Sequence, residues 1–233
     1  MDGLEELGLR LRSASSSAPH LPVFTRRCLD SMRWGGSAVL MVVDAALTST
    51  GLSYFTAVVP RVWEFKEELV DTGRLTTLSE LASADVDFLL RFWRNRRAWE
   101  VARGVARALL AYQGPDDRSR LRAWASAARL DGWGADPVGS ARGVGLVTYQ
   151  YLRMMGGVDT TMPDRVVVGF LSRLSEGLDV RVPRGGEEFV RFVESAAPRL
   201  GLRPVEITWL AWLVDSEGER LMTGKYSRYL SYV

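Results

Sequence analysis

The chain has 233 residues, 47% of them hydrophobic, and a formal net charge of +2 at pH 7. That is long enough for one large domain or two small ones with a real core, and the charge alone is too small to name nucleic acid as a partner. A single cysteine, Cys28, and a single histidine, His20, exclude a disulfide framework and a thiolate metal cage, and argue against a His–Cys zinc site or a Ser-His-Asp triad.

Of the 30 basic residues only Lys66 and Lys225 are lysines; the rest are arginines. Arginine suits bidentate phosphate contacts, but a GC-rich genome or a hot habitat produces the same bias. No apolar run reaches about eighteen residues, and the N-terminus lacks a basic segment followed by an apolar core. A soluble, cytoplasmic, monomeric protein with no membrane partner is expected.

Apolar residues recur at spacings of three and four almost throughout, and strand-like alternation is scarce, so the expected fold class is all-α. An N-terminal helix should give way to a loop over 13–22, rich in Ser and Pro. A helix is predicted over 37–48, with Val39, Leu40, Val43 and Leu47 inward. Another begins near Leu52 and carries Tyr54, Phe55, Val58, Val62 and Phe65. A short helix covers 77–81, and Ser83 is the expected cap of the next, with Asp85 and Asp87 in its first turn. Residues 95–112 read as a strongly amphipathic helix. Trp99, Val101, Ala102, Val105, Leu109 and Tyr112 face inward, Arg96, Arg103 and Arg107 face outward, and Gly114-Pro115-Asp116 ends it. Shorter helices are predicted over 117–130, 135–142 and 146–155, the last ended by Gly156-Gly157. Asp164 opens a helix to about Leu174, 177–186 is a loop, and two last helices cover 187–199 and 204–216.

The most informative stretch is Gly143-Val144-Gly145-Leu146-Val147-Thr148, followed by Met162-Pro163-Asp164-Arg165. A turn between helices that needs positive φ takes glycine at little cost. The first turn of the helix after it has unpaired N–H groups, which can hold a phosphate oxygen. Val144 would pack back between the helices, and the Thr148 hydroxyl could bond locally or reach a phosphate. An ordinary helix–helix turn and an ordinary Asp N-cap explain the same residues.

These residues resemble the helix-hairpin-helix DNA glycosylase superfamily, which includes endonuclease III and the alkyladenine glycosylases. In that family a Gly-hydrophobic-Gly hairpin is followed two residues later by Thr, and a catalytic Asp comes roughly twenty residues after the hairpin. Upstream, Leu40 to Thr50 is similar to the family's early helix with its Leu-Ser/Thr-x-Gln turn. Leu78-Ser79-Glu80-Leu81-Ala82-Ser83-Ala84-Asp85 is similar to the segment before its ring of helices. Asn95-Arg96-Arg97-Ala98 is similar to the start of its long helix. Leu200-Gly201-Leu202-Arg203-Pro204, leading to Trp209 and Trp212, resembles a further helix of some members. Order and spacing fit over about 38–174.

The resemblance implies a two-layer helical fold, with a central barrel over 37–156 holding the hairpin and a second domain from 1–36 plus 157–233. It implies duplex DNA as partner, with Arg142, Gly143, Val144, Gly145, Val147, Thr148 and Thr50 in contact with it. It implies Asp164 as the catalytic carboxylate: Asp164 follows Val147 by seventeen residues and Asp159 by only twelve. Lying at a helix start, Asp164 is expected to stay ionised. Trp34, Tyr149, Trp93 and Trp99 are candidate stacking partners for a flipped base, although plain core packing explains each. No cofactor is required, but hairpin carbonyls, by position those of Gly139, Ala141 and Gly143, could hold a sodium or potassium ion. The chain also departs from the pattern. Val147 stands where bifunctional members carry a lysine nucleophile, so lyase chemistry is not expected. Thr50 stands at the place of an intercalating Gln, and one cysteine cannot hold an iron–sulfur cluster. The implied activity is monofunctional removal of a damaged or mismatched base in base-excision repair. The rival is a helix-hairpin-helix protein that only binds DNA.

Overall fold

The computed structural model describes residues 2–216 and 218–233. Among them the regular structure is entirely helical, with no strand. The α-helices are α1 (Gly3–Ser15), α2 (Leu21–Leu29), α3 (Ala38–Thr48), α4 (Val59–Phe65), α5 (Leu78–Ser83), α6 (Val86–Leu89), α7 (Arg96–Leu109), α8 (Asp117–Ala127), α9 (Leu146–Met155), α10 (Arg165–Leu174), α11 (Gly186–Leu200), α12 (Pro204–Asp215) and α13 (Gly218–Thr223). Short π-helical turns, Tyr54–Val58 and Lys66–Val70, flank α4.

Local chemistry sets several helix starts. Ser37 caps α3 by accepting from the Leu40 amide, and Asn95 caps α7 by accepting from the Ala98 amide. Thr77 and Glu80 cap α5 reciprocally. Apart from Asp44 and Thr48, the sequence Ala38–Thr48 is apolar on every side, so α3 is central, and all 11 of its residues are buried. It packs against α7, α9, α8, α5 and α4. Truncating a side chain such as Leu40, 1% exposed, to Ala would cost about 2–5 kcal/mol. That anchorage holds the end of α3 rigid where it reaches the site.

α12 is the second central helix, packed on α2, α10, α1 and α11. Its apolar run, from Val205 to Leu213, is buried apart from Glu206. One continuous buried cluster takes in residues from α1 through the C-terminal turns, so both groups of helices share a core.

The structure corrects several expected boundaries. Helix α1 runs through Ser15 and α2 starts at Leu21, so the 13–22 loop shrinks to the residues between them. Ser83 caps nothing: its hydroxyl donates back to the carbonyls of Ser79 and Glu80, and Asp85 caps α6. Residues 135–142 do not form an α-helix. A 3-10 turn covers Trp133–Ala135, and the Asp136 carboxylate then accepts from the amides of Val138 and Gly139 and from the Trp124 indole, folding the chain into turns. Helices α2 and α13 had no counterpart in the sequence reading. No helix of the described residues is long and apolar enough to cross a membrane.

Candidate functional site

The glycine turn and Asp164 meet at one cleft. Gly143 has φ +90, and a Cβ on it would lie 2.9 Å from Val101 Cγ2 on α7. Backbone conformation and close packing both demand glycine there. Gly145 is the N-cap of α9 with φ −112; a Cβ there meets nothing within 4 Å. With no side-chain cap, the first-turn amides of α9 depend on an outside acceptor. Thr148, in that turn, is 2% exposed and lines the cleft, yet its hydroxyl has no hydrogen-bond partner.

Asp164 lies across the cleft as the N-cap of α10. Its Oδ1 accepts from the Val166 amide at 2.7 Å and the Val167 amide at 2.9 Å. Its Oδ2 accepts from Trp212 Nε1, on α12, at 2.8 Å. Contrary to the expected ease of ionisation, burial raises the Asp164 pKa above the ordinary carboxylate value. The two amides, the Trp212 indole and the Arg165 charge pull it down without cancelling that effect.

The cleft measures about 650 Å³. Thr48, Ser49 and Thr50 at the end of α3 form one wall, and Asn95, Arg97 and Ala98 at the start of α7 form another. Pro163, Asp164 and Arg165 lead into α10 beside the hairpin residues Gly143, Gly145, Val147 and Thr148. Through Thr50 and Asn95 the cleft runs on into a hollow of about 620 Å³ bordered by Arg61, Arg91, Trp93 and Arg94. Through Arg97 and Gly143 it meets a smaller crevice with Arg142. Arg94, Arg97, Arg142 and Arg165 are exposed and, among the described residues, make no salt bridge or hydrogen bond. Arg61 and Arg91, by contrast, pair with Glu64 and Glu68.

The four expected base-stacking aromatics separate. Trp34, Tyr149 and Trp99 are at most 1% exposed and do not line the cleft, which corrects their assignment. Trp99 lies against Phe65 and donates to the Trp93 carbonyl. Tyr149 packs between Trp124 and Trp133 and donates to the Arg129 carbonyl, and burial pushes its pKa up to about 12. Trp34 donates to Asp44. Their size and polar tips suit core positions with one satisfied hydrogen bond. Only Trp93 reaches a surface hollow, next to the cleft. Val144 packs against the core. Asp159 is structural: it pairs with Arg203 at 2.8 Å and accepts from the Val205 amide.

Behind the α3 wall lies a buried polar network with no counterpart in the sequence reading. Asp44, 0% exposed, accepts from Trp34 Nε1 at 2.7 Å, from the Tyr54 and Tyr151 hydroxyls at 3.0 Å, and from the Thr48 hydroxyl at 3.2 Å. Arg33, also fully buried, sits 3.4 Å from the same carboxylate with its guanidinium over the Trp209 ring. Burial pushes the pKa values of Tyr54 and Tyr151 well up, so both stay protonated donors. Trp212 joins this network to Asp164, packing edge-to-face on Tyr54 at 4.7 Å.

For a monovalent ion, the carbonyls of Gly139 and Gly143 accept no hydrogen bond from the described residues, whereas that of Ala141 accepts from the Val144 amide at 3.0 Å. Among the described residues no cluster of three His, Cys, Asp or Glu side chains could hold a metal. No family model, no curated protein and no solved structure matches the chain.

Proposed function

We propose that the chain is a monofunctional DNA glycosylase that hydrolyses the bond between deoxyribose and a damaged or mismatched base flipped out of duplex DNA. In this reading the helices of 37–156 form a central barrel holding a helix-hairpin-helix, and 1–36 plus 157–233 build the second layer. The observation that carries the reading is a convergence. A partly buried carboxylate, an uncapped helix N-terminus with an unpartnered threonine hydroxyl, and four exposed arginines that form no salt bridge among the described residues share one cleft and its margins.

Cleavage of an N-glycosidic bond builds positive charge on the sugar. The Asp164 carboxylate stabilises that charge and orients the attacking water. Its three donors fix its direction, as a preorganised site requires. The α9 amides and Thr148 hold the phosphate beside the target, and the free arginines hold its neighbours. The carbonyls of Gly139, Ala141 and Gly143 would hold a sodium or potassium ion, whose charge offsets that of the bound phosphate. Flipping costs a few kcal/mol and favours weakened pairs. Val147 offers no amine for a Schiff base, so water completes the reaction.

The test is incubation with duplexes carrying single alkylated, deaminated or oxidised bases, scored for abasic sites, with Asp164→Asn in parallel. The reading fails if no lesion yields abasic sites, or if the variant matches the wild type.

A second reading is a DNA-binding protein without glycosylase activity. It is favoured by the full engagement of Asp164 as a helix cap. It predicts salt-sensitive duplex binding that survives Asp164→Asn but not a bulky residue at Gly145.

A further inference from the structure

Three consecutive hydroxyls end α3 at the cleft wall, and each donates its proton backwards. Thr48 Oγ1 donates to Asp44 Oδ1 at 3.2 Å, Ser49 Oγ to the Ala46 carbonyl at 2.6 Å, and Thr50 Oγ1 to the Leu47 carbonyl at 2.7 Å. A hydroxyl has one proton and two lone pairs. With the proton engaged, each can meet a ligand only as an acceptor.

At Thr48 and Ser49 that polarity is costly to reverse. Among the described residues no backbone amide donates to the Ala46 carbonyl, so turning the Ser49 proton outward leaves that carbonyl without its donor. Turning the Thr48 proton outward takes a donor from a fully buried carboxylate. The C-terminal end of α3 adds negative partial charge on the same wall. The donors of the cleft come from other elements: the first-turn amides of α9, Arg165 on α10, and Arg97 and the Asn95 amide at the start of α7. The cleft is thus donor-rich where a phosphate fits and acceptor-only at Thr48 and Ser49; at Thr50 the Leu47 carbonyl also accepts from the backbone amide, so that hydroxyl is free to turn.

We propose that Thr48 and Ser49 are the specificity wall, selecting a base that presents an exocyclic amino group. This rests on the glycosylase reading above and narrows its substrate class. Adenine- and cytosine-derived lesions that keep their amino group are taken. Bases with a carbonyl in its place are rejected, because acceptor would face acceptor.

The test is equilibrium binding of Asp164→Asn protein, so that excision does not deplete the complex. Each duplex carries one central base opposite a tetrahydrofuran abasic analogue, which equalises the cost of unpairing. Adenine is compared with unsubstituted purine, and cytosine with pyrimidin-2-one; each pair differs only in the amino group. The amino member should bind about ten- to a hundredfold tighter. Ser49→Ala and Thr48→Val should bring the ratio towards unity while duplex binding persists, with melting curves confirming that both variants fold. Equal binding within both pairs, or a ratio unchanged in both variants, overturns the specificity wall alone. No binding to any duplex overturns the glycosylase reading as well.

Discussion

The indole Nε1 of Trp212 donates to Oδ2 of Asp164 at 2.8 Å, tying α12 to the first turn of α10. Trp212 is 6% exposed and packs edge-to-face on Tyr54, whose hydroxyl donates to Asp44. The cleft carboxylate is therefore braced on two sides, by its own helix and by a ring backed by the buried Arg33–Asp44 network.

Replacing Trp212 by Phe keeps most of the ring packing and removes one donor to the ionised carboxylate. The Asp164 pKa, already raised by burial, should rise further. Carboxyl carbon-13 shifts measured against pH, assigned by comparison with Asp164→Asn, would read it directly. An unchanged or lowered value would mean that the indole does not support the charge.

The raised pKa has a consequence for stability. The folded state holds the Asp164 proton more tightly than the unfolded chain does. Its contribution to stability is present below the unfolded pKa and is lost as pH rises through the folded pKa. Asn is as good an N-cap as Asp and does not titrate. Between about pH 4 and about pH 7, wild type should lose stability relative to Asp164→Asn. Urea unfolding at both pH values checks the sign, and a gain by wild type would refute it.

The two hairpin glycines should respond oppositely. Gly143→Ala forces a Cβ to 2.9 Å from Val101 Cγ2 at positive φ, at a cost of about 1–3 kcal/mol. A Cβ at Gly145 meets no neighbour, so Gly145→Val should leave the fold standing, at the smaller cost of a poorer N-cap, while the side chain obstructs the mouth of the cleft. Melting temperature should fall further for the first variant than for the second, and duplex affinity should fall for the second. A stability loss at Gly145 as large as that at Gly143 would refute the open space beside it.

Much of the fold was legible in the sequence because helix periodicity and caps are local. Helix α3 reads from Ser37 onward, α7 from Asn95, and α9 from its glycine turn to Gly156-Gly157. Asp164 was legible as a helix start. What it touches was not, because Trp212 lies far along the chain on another helix. The same distance hid the Asp44 network, whose Tyr151 comes from α9. Aromatics misled because Trp34, Trp99 and Tyr149 carry polar tips that suit a base pocket as well as a satisfied core site. Arg97 was legible within the Arg94-Asn95-Arg96-Arg97 run, which could touch DNA or be a solvated face, and Arg165 could have been found, since it adjoins the helix start at Asp164.

The unpaired arginines give a salt-dependence prediction. Arg97 and Arg165 line the cleft without ion partners, whereas Arg61 is paired with Glu64 at 2.7 Å. Each of Arg97→Ala and Arg165→Ala should lower the slope of log affinity against log salt by about 0.9. Arg61→Ala should change it less, because Glu64 already offsets that charge. Equal slopes for all three would remove the cleft arginines from any phosphate contact.

The buried network makes a claim about stability alone. Asp44→Asn weakens the countercharge of Arg33, whose guanidinium is fully buried and has two nitrogens, Nε and Nη1, with no partner. The backbone there is already strained, with Trp34 held at φ +54. Breaking such a pair costs about 3–5 kcal/mol, whereas replacing both partners with apolar groups of similar volume is often near neutral. Asp44→Asn should therefore destabilise more than the double change Arg33→Met with Asp44→Leu. The double change also removes the acceptor for Tyr54, Tyr151 and Trp34, so it will not be fully neutral. Urea unfolding of the two variants decides the matter. A double variant less stable than Asp44→Asn would mean that hydrogen bonds to Asp44, not the Arg33 charge, hold this core together.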